Sequence, residues 1–390
     1  MKIAFYQMRP FDEQAYIEQF SREFGIDYVT IPGAPCPENL DKAAGCDAVS
    51  QNPCEILPEY VEAWARMGVK YLLCRSIGYD HIPLETAKKL GMRVAHSHYP
   101  PEGVANYAIM LMLMCTRKMN QTMLRAAAQD YTLPGKMGKD LSNCTVGVIG
   151  TGKIGRTVIA HLQGFGCKIL AYDLYQSDEV AQMAEYVPLD ELYARSDVIT
   201  LHTNATAENH HLINAESLAK MKDGVRIINL ARGDLVDNAA VKAALASGKV
   251  ACYVTDFPSD ELLDVEGVIA IPHLGASTPE SEENCASMAA AQLIDYLENG
   301  NIKNSVNYPA TYMARSAANR IVVLHENVPT MLAQVLTVLS NDNINIENMV
   351  SCSKGNNACS LFDTDAKVSE KAAADIRAIQ GVRRITVIEG

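Results

Sequence analysis

The stretch Val146-Gly147-Val148-Ile149-Gly150-Thr151-Gly152-Lys153-Ile154-Gly155 decides the fold. Its opening run is apolar and short, as in a strand buried on both faces of a parallel sheet. The glycines then fall in a G-x-G-x-x-G. A helical segment follows from Arg156 to Gln163, closed by Gly164 and Gly166. A second apolar strand, Lys168 to Tyr172, delivers Asp173. Gly150 permits a tight turn out of the strand. Gly152 lets a pyrophosphate approach the backbone, and Gly155 lets the helix pack close to the sheet. Lys153 and Ile154 open that helix, whose free N–H groups and partial positive charge suit phosphates. Asp173 lies 23 residues after Gly150, the spacing of a carboxylate that holds a ribose hydroxyl pair. It would repel a 2′-phosphate, so the expected cofactor is NAD. A lone G-x-G-x-x-G is a weak signal. Set between two strands, with an acid at the end of the second, it is specific.

Working outward, 390 residues are too many for one core and call for two or three domains. The net charge of −12 argues against broad nucleic-acid or anionic-membrane binding. An anionic substrate would need a local basic site. The eleven cysteines are scattered, with no C-x-x-C and no metal-ligand spacing. Reduced thiols in a cytoplasm are the simplest account, and no metal is expected. The longest apolar run, Ala108 to Cys115, is too short to span a bilayer.

Residues 1 to about 97 alternate strand and helix patterns, including the strands Lys2 to Tyr6, Asp27 to Ile31 and Val69 to Arg75. They predict a small parallel α/β domain without a glycine fingerprint. A long apolar helix, Gly103 to Met119, leads into the nucleotide domain. Its methionines suit core packing. A loop from Asp130 to Ser142 precedes the fingerprint. After Asp173 strand–helix units repeat, and the long helix Thr278 to Leu297 suits a return crossing. Gly300 to Arg315 reads as a linker. The last seventy residues follow the order β-α-β-β-α-β, the ferredoxin-like unit, whose edge strand invites side-by-side pairing.

Three strand ends carry candidate chemistry: Asn229-Leu230-Ala231-Arg232-Gly233, Thr255-Asp256 with Glu261 beyond, and Pro272-His273-Leu274-Gly275. Ligands of open α/β sheets bind outside the carboxyl ends of strands. An arginine fork binds a carboxylate bidentately. A histidine exchanges the hydroxyl proton while hydride moves to or from a nicotinamide, and a glutamate partner fixes its tautomer. Standing alone, Arg232 reads as a surface ion-pair partner, Glu261 as a solvated loop acid and His273 as a loop histidine. Beside an NAD fingerprint, the three together suit oxidation of a 2-hydroxy acid.

On these motifs, residues 1 to about 310 resemble the D-isomer-specific 2-hydroxyacid dehydrogenases. The resemblance implies Arg232, Glu261 and His273 as catalytic residues. It implies cofactor contacts from Leu230, Ala231, Asp256 and Gly275 besides the fingerprint residues. The implied fold is α/β, with two Rossmann-like doubly wound parallel-sheet domains. Residues 1–100 and 283–310 would form the substrate-binding domain and residues 101–282 the NAD-binding domain. Residues 319–390 resemble a ferredoxin-like ACT regulatory domain. There His325-Glu326-Asn327-Val328-Pro329 is similar to the serine-effector motif of D-3-phosphoglycerate dehydrogenases. Asn345 matches a third effector contact, and Thr330 stands where that motif usually has glycine. The stretch 273–309 is similar to the same branch, so the resemblance implies D-3-phosphoglycerate dehydrogenation at the head of serine synthesis. The N-terminal third differs. Arg75-Ser76-Ile77-Gly78-Tyr79-Asp80-His81-Ile82 and Tyr99-Pro100-Pro101 resemble the D-lactate dehydrogenase branch. Ser76, Ile77, Gly78 and Tyr99 would then meet substrate, and the alternative is a D-lactate-type reductase of pyruvate or another 2-oxo acid. Ser50-Gln51-Asn52-Pro53 lacks the arginine that meets substrate phosphate in many phosphoglycerate dehydrogenases, and Asn106 stands where the family usually has an acid. A third reading, an NAD-sensing binding protein on the same scaffold, is opposed by the intact Arg232–Glu261–His273 set. A homo-oligomer, dimer or tetramer, is expected from the methionine-rich helix and the edge strand.

Overall fold

A computed structural model describes residues 1–11, 13–97 and 100–389. The chain divides into two compact units, one of Met1–Tyr99 with Pro279–Gly390 and one of Pro100–Thr278.

In the second unit, seven parallel strands form one sheet: β6 (Thr145–Ile149), β7 (Lys168–Tyr172), β8 (Glu185–Tyr186), β9 (Val198–Leu201), β10 (Val225–Asn229), β11 (Val250–Thr255) and β12 (Val268–Ala270). Their spatial order is β12-β11-β10-β9-β6-β7-β8. Strand order therefore reverses between β6 and β9, which is where a doubly wound sheet opens its ligand crevice. The strands are nearly continuous apolar runs because both faces are covered. Val146, Val148, Ile228 and Val254 pack under Ala108, Met112, Val158 and Leu162. Ile149, Ile199, Ile227 and Tyr253 pack under Leu192, Leu218 and Val241 on the other face. The apolar helix spans Glu102–Thr116, and a second helix, Met119–Ala127, follows it. Lys118 separates the two at φ 52°, a left-handed residue that ends the first helix. The two-residue β8 is too short for any periodicity to reveal.

In the first unit, β1 (Lys2–Tyr6), β2 (Asp27–Ile31), β3 (Ala48–Gln51), β4 (Tyr71–Cys74) and β5 (Arg93–His96) form a parallel sheet in the order β2-β1-β3-β4-β5. One face packs on Val61, Trp64 and Ala87. The C-terminal module builds a four-stranded antiparallel sheet from β13 (Asn319–Glu326), β14 (Ile346–Lys354), β15 (Asn357–Thr364) and β16 (Val382–Glu389), ordered β14-β15-β13-β16. With helices Met331–Asn341 and Glu370–Ala378 this is the β-α-β-β-α-β arrangement.

The linker expected at 300–315 is instead a packed seam. Tyr71 and Ala95 of the parallel sheet, Leu293 and Tyr296 of helix Pro279–Asn299, and Val322 and Leu361 of the antiparallel sheet share one core. Asn307 finishes the β5 edge: its Oδ1 accepts from Val94 N and its Nδ2 donates to Met92 O, each at 2.9 Å. Buried Arg93 donates to the carbonyls of Asn301 and Lys303, its guanidinium lying over Tyr71 and Tyr296. Arg320 and Asp363, both fully buried, pair at 2.5 Å. Arg320 also donates to Asn299 O, Met313 O and Ala314 O. Buried Asn301, whose Oδ1 accepts from Met313 N at 3.1 Å, and buried Asn307 therefore satisfy backbone groups of a packed segment.

Candidate active site

The glycine loop joins β6 to the helix Lys153–Leu162. Gly150 has φ +91°, and a Cβ there would meet the His202 carbonyl carbon at 2.6 Å. A Cβ on Gly155 would stand 1.9 Å from Gly150 O, so only glycine lets helix and loop close. Around Gly152 a Cβ would meet nothing within 4 Å. The loop thus leaves open space beside its backbone. The helix has no side-chain cap and no acid in its first turn, so its N–H groups remain for an anion. Lys153 is exposed there and Ile154 packs partly into the core. Asp173 Oδ2 accepts from Thr151 N at 2.6 Å and from Thr151 Oγ1 at 3.1 Å, while its Oδ1 accepts from Tyr175 N. The acid at the second strand's end is therefore held against the loop. His202, at the end of β9, contacts Thr200 Oγ1 at 2.9 Å, and burial pushes its pKa down to about 4.

Beyond β10, buried Asn229 shapes the turn that carries Arg232. Its Nδ2 donates to Arg232 O at 2.8 Å and its Oδ1 accepts from Ala231 N at 3.1 Å. Leu230 and Ala231 are buried, and Arg232 is half-buried, with Nη1 donating to Ala231 O at 2.6 Å. The sequence quotes Asn229 in place but gives no sign of this role; only the turn geometry does.

His273 Nδ1 lies 2.8 Å from Asp256 Oδ2, and the side chains are 54% and 1% exposed. The Phe257 ring packs on His273 at 5.0 Å between centroids. A carboxylate acceptor at Nδ1 requires the proton there, which leaves Nε2 to exchange protons outward. This corrects the pairing expected from sequence. Glu261 sits exposed in the short turn Asp260–Leu262, and among the described residues no hydrogen bond or ion pair joins it to His273. The acid four residues past Cys252, at the strand's end, takes that place because β11 delivers it directly. Asp256 was expected to meet cofactor, and its Oδ1 is buried without a partner among the described residues. An orphaned buried carboxylate oxygen is costly, and a bound donor such as a cofactor amide would satisfy it. Tyr107 stands near the same carboxylate: burial first, and Asp256 second, push its pKa up. Buried Gly275 lies against Val104 and Tyr107.

In the first unit, the loop after β4 is tied internally. Ser76 Oγ donates to Gly78 O at 2.7 Å, and Ile77 O lies 2.8 Å from His96 Nδ1. Tyr99 lies outside the described residues. In the C-terminal module, His325 and Asn327 line one pocket with Val328, Thr330, Ser351 and Cys352. His325 is buried with both ring nitrogens engaged, by Glu326 O at 2.7 Å and Ser360 Oγ at 2.8 Å. Burial lowers its pKa. Asn345 is exposed, bonded through its backbone N to Asp365, and does not line that pocket.

Residues 109–275 match the family model for the D-isomer specific 2-hydroxyacid dehydrogenase NAD binding domain. An aromatic 2-oxoacid reductase of Clostridium sporogenes is 35% identical over 329 residues, 78% of this chain and 98% of that relative. The chain belongs to the D-isomer specific 2-hydroxyacid dehydrogenase family. A D-lactate dehydrogenase of Lactiplantibacillus plantarum is 31% identical across its whole length. The apo-structure of the Escherichia coli D-lactate dehydrogenase superposes with a TM-score of 0.72 at 32% identity, covering 78% of this chain and all of that one. As a family member the chain is an NAD-dependent oxidoreductase acting on the CH–OH group of 2-hydroxy acids. The glycine loop, Asp173 and the orphaned Asp256 oxygen fit that cofactor. These relatives also correct the substrate branch: they support the D-lactate-type alternative better than the D-3-phosphoglycerate dehydrogenase reading drawn from the C-terminal motifs. No helix among the described residues is long and apolar enough to cross a membrane.

Proposed function

We propose that this dehydrogenase reduces a small or aromatic 2-oxo acid, in the manner of the D-lactate dehydrogenases and the aromatic 2-oxoacid reductase it resembles. One observation in the substrate-side sheet carries this choice. Just past the carboxyl end of β4, Arg75 is already committed. Arg75 is buried and donates to Glu13 at 2.8 Å, Tyr6 O at 2.8 Å and Ser50 Oγ at 3.0 Å. Ser50 and Gln51, where a phosphate-binding arginine is found in many phosphoglycerate dehydrogenases, are themselves fully buried. A phosphorylated substrate thus lacks a cation at that position after β3.

In the proposed reaction bound NADH supplies the hydride. Arg232, on a turn fixed by Asn229, binds the substrate carboxylate. His273 gives its Nε2 proton to the forming alkoxide, and Asp256 holds the ring from behind and stabilises its charged form. Glu261 is no longer assigned as the partner of His273. The backbone of Ser76, Ile77 and Gly78 is the proposed substrate-side contact. We keep the C-terminal pocket around His325 and Asn327 as the proposed small-ligand site, with serine as the first compound for calorimetry. Exposed Met123, Leu124, Leu133 and Met137 support a homo-oligomer, checked by light scattering.

The deciding experiment compares NADH consumption on pyruvate, phenylpyruvate and 3-phosphohydroxypyruvate with one protein preparation. The non-phosphorylated acids are expected to turn over with the higher kcat/KM. A preference for the phosphorylated acid overturns the proposal.

A further inference from the structure

The acid expected to meet the cofactor's ribose, Asp173, is the end of a chain of hydroxyls that begins at the edge of the nucleotide-domain sheet. Asp173 Oδ2 accepts from Thr151 N at 2.6 Å and from Thr151 Oγ1 at 3.1 Å. Thr151 Oγ1 lies 2.8 Å from Tyr186 Oη, and Tyr186 Oη accepts from Ser177 N at 3.3 Å. Chemistry fixes the direction of each proton. A carboxylate only accepts, so the single hydroxyl proton of Thr151 points to Asp173. Tyr186 must then donate to Thr151, and its own oxygen accepts the Ser177 N–H. The chain runs one way, from Ser177 through Tyr186 and Thr151 to Asp173. Tyr186 reaches this place because of β8. That strand is two residues long and pairs in parallel with β7, Tyr186 opposite Ala171, and Val187 N donates to Ala171 O at 3.0 Å. The Tyr186 ring packs, half-buried, against the core that holds helix Lys153–Leu162, and Thr151 is buried.

We propose that Tyr186 is a positioning residue for the cofactor. Through Thr151 it pins Asp173 Oδ2, leaves Oδ1 to accept from the adenosine ribose, and so sets the preference for NAD over NADP. The proposal rests on Asp173 as the ribose-binding acid. Thr151 engages Oδ2 twice, and Tyr175 N engages Oδ1 once, at 2.9 Å. A carboxylate has about four acceptor sites, so the site that remains is on Oδ1. A ribose 2′-hydroxyl can donate there. A 2′-phosphate brings like charge to a carboxylate that cannot turn aside, and like charges at contact distance repel. Without the Tyr186 hydroxyl the Thr151 side chain loses the donor that holds its rotamer, and the carboxylate gains the freedom to swing away from either ligand.

The test titrates the full-length chain with NADH and with NADPH by calorimetry, in the absence of a 2-oxo acid. In Tyr186→Phe the Kd for NADH should rise about three- to tenfold, the worth of one hydrogen bond, and the Kd for NADPH should change less. Thr151→Val should do at least as much, and Tyr186→Phe should add nothing to it. Thr151→Ser, which keeps the hydroxyl, should bind NADH as the parent does. Asp173→Asn, run beside them, tests the acid itself and should lose the preference for NADH. If it does so while Tyr186→Phe and Thr151→Val keep the parent's two Kd values, the role of Tyr186 alone is overturned. If Asp173→Asn keeps the preference, Asp173 does not hold the ribose and the proposal falls with it. An equal rise in both Kd values in Tyr186→Phe means a loosened sheet edge and also overturns the proposal. Thr151→Val against Thr151→Ser decides the point even where Tyr186→Phe folds poorly.

Discussion

Asp256 determines how His273 is presented. With one oxygen on Nδ1 at 2.8 Å and the other buried without a partner among the described residues, it fixes the ring and leaves room for one further donor. Asp256→Asn keeps the shape but removes the charge, and its amide can offer Nδ1 a donor where an acceptor is needed. Turnover on 2-oxo acids should fall by at least about tenfold. Circular dichroism should remain unchanged. Turnover near that of the parent would show that another group holds the histidine. Thr330 is a second residue whose cost is local. It sits at φ +66° at the start of helix Met331–Asn341, and its side chain does not cap the helix. A β-branched residue is strained there and glycine is not. Thr330→Gly should therefore raise the unfolding free energy by up to about 1 kcal/mol in urea titration. A loss of stability would show that its side-chain contacts outweigh the strain.

Elements, more than single side chains, place the chemistry. The turn after β10 is held from both sides by Asn229, and Asn229→Ala would free it and strand the buried Ala231 N–H, leaving the Arg232 carbonyl with Leu235 N alone. The expected outcome is a rise of about tenfold or more in KM for the 2-oxo acid with NADH affinity retained, read by steady-state kinetics and fluorescence titration. Equal loss of both would mean the whole strand end had collapsed. Much at this scale was legible in the sequence. The glycine loop, Asp173, the strand ends bearing Arg232 and His273, and the β-α-β-β-α-β order all appear as read, because each depends on local chemistry or on uninterrupted apolar runs. What was not legible depends on distance. Glu261 and Asp256 are both acids near one strand end, and spacing alone does not say which reaches His273. The motif at His325 spells an effector contact. In the fold its ring is consumed by Ser360, a residue from another strand. Asn301 and Asn307 look like linker residues until the backbone groups they satisfy, Met313 N and the Val94 N and Met92 O of the β5 edge, are seen beside them.

For the molecule as a whole, the Arg320–Asp363 pair ties the C-terminal sheet to the return segment. Burial pushes the Asp363 pKa up, but Arg320 and Ser316 together pull it down further, so it lies below the usual carboxylate value. A depressed carboxylate stabilises the fold fully above its unfolded pKa. That contribution is lost as pH falls below about 4 toward the lower folded value. His202 acts in the same sense at milder acidity. It is held neutral down to about 4, so its contribution begins to fade below about pH 6.5. Asp363→Ala leaves Arg320 buried and unpaired and should cost about 3–5 kcal/mol at neutral pH. The variant's melting temperature should also respond less than the parent's to acid below pH 4. A variant as stable as the parent would show that the seam does not depend on this pair.

The seam has a consequence for how the chain is made. A ribosome releases β1 to β5 first, yet the backbone groups of β5 find their partners in Ser305 and Asn307, and the sheet's second face is covered by Tyr296 and the antiparallel strands. The nucleotide domain is local in sequence and can close on emergence, while the earliest strands wait for the last to be translated. During synthesis the first sheet presents an uncovered apolar face and an open edge, the state in which a nascent chain most needs a chaperone.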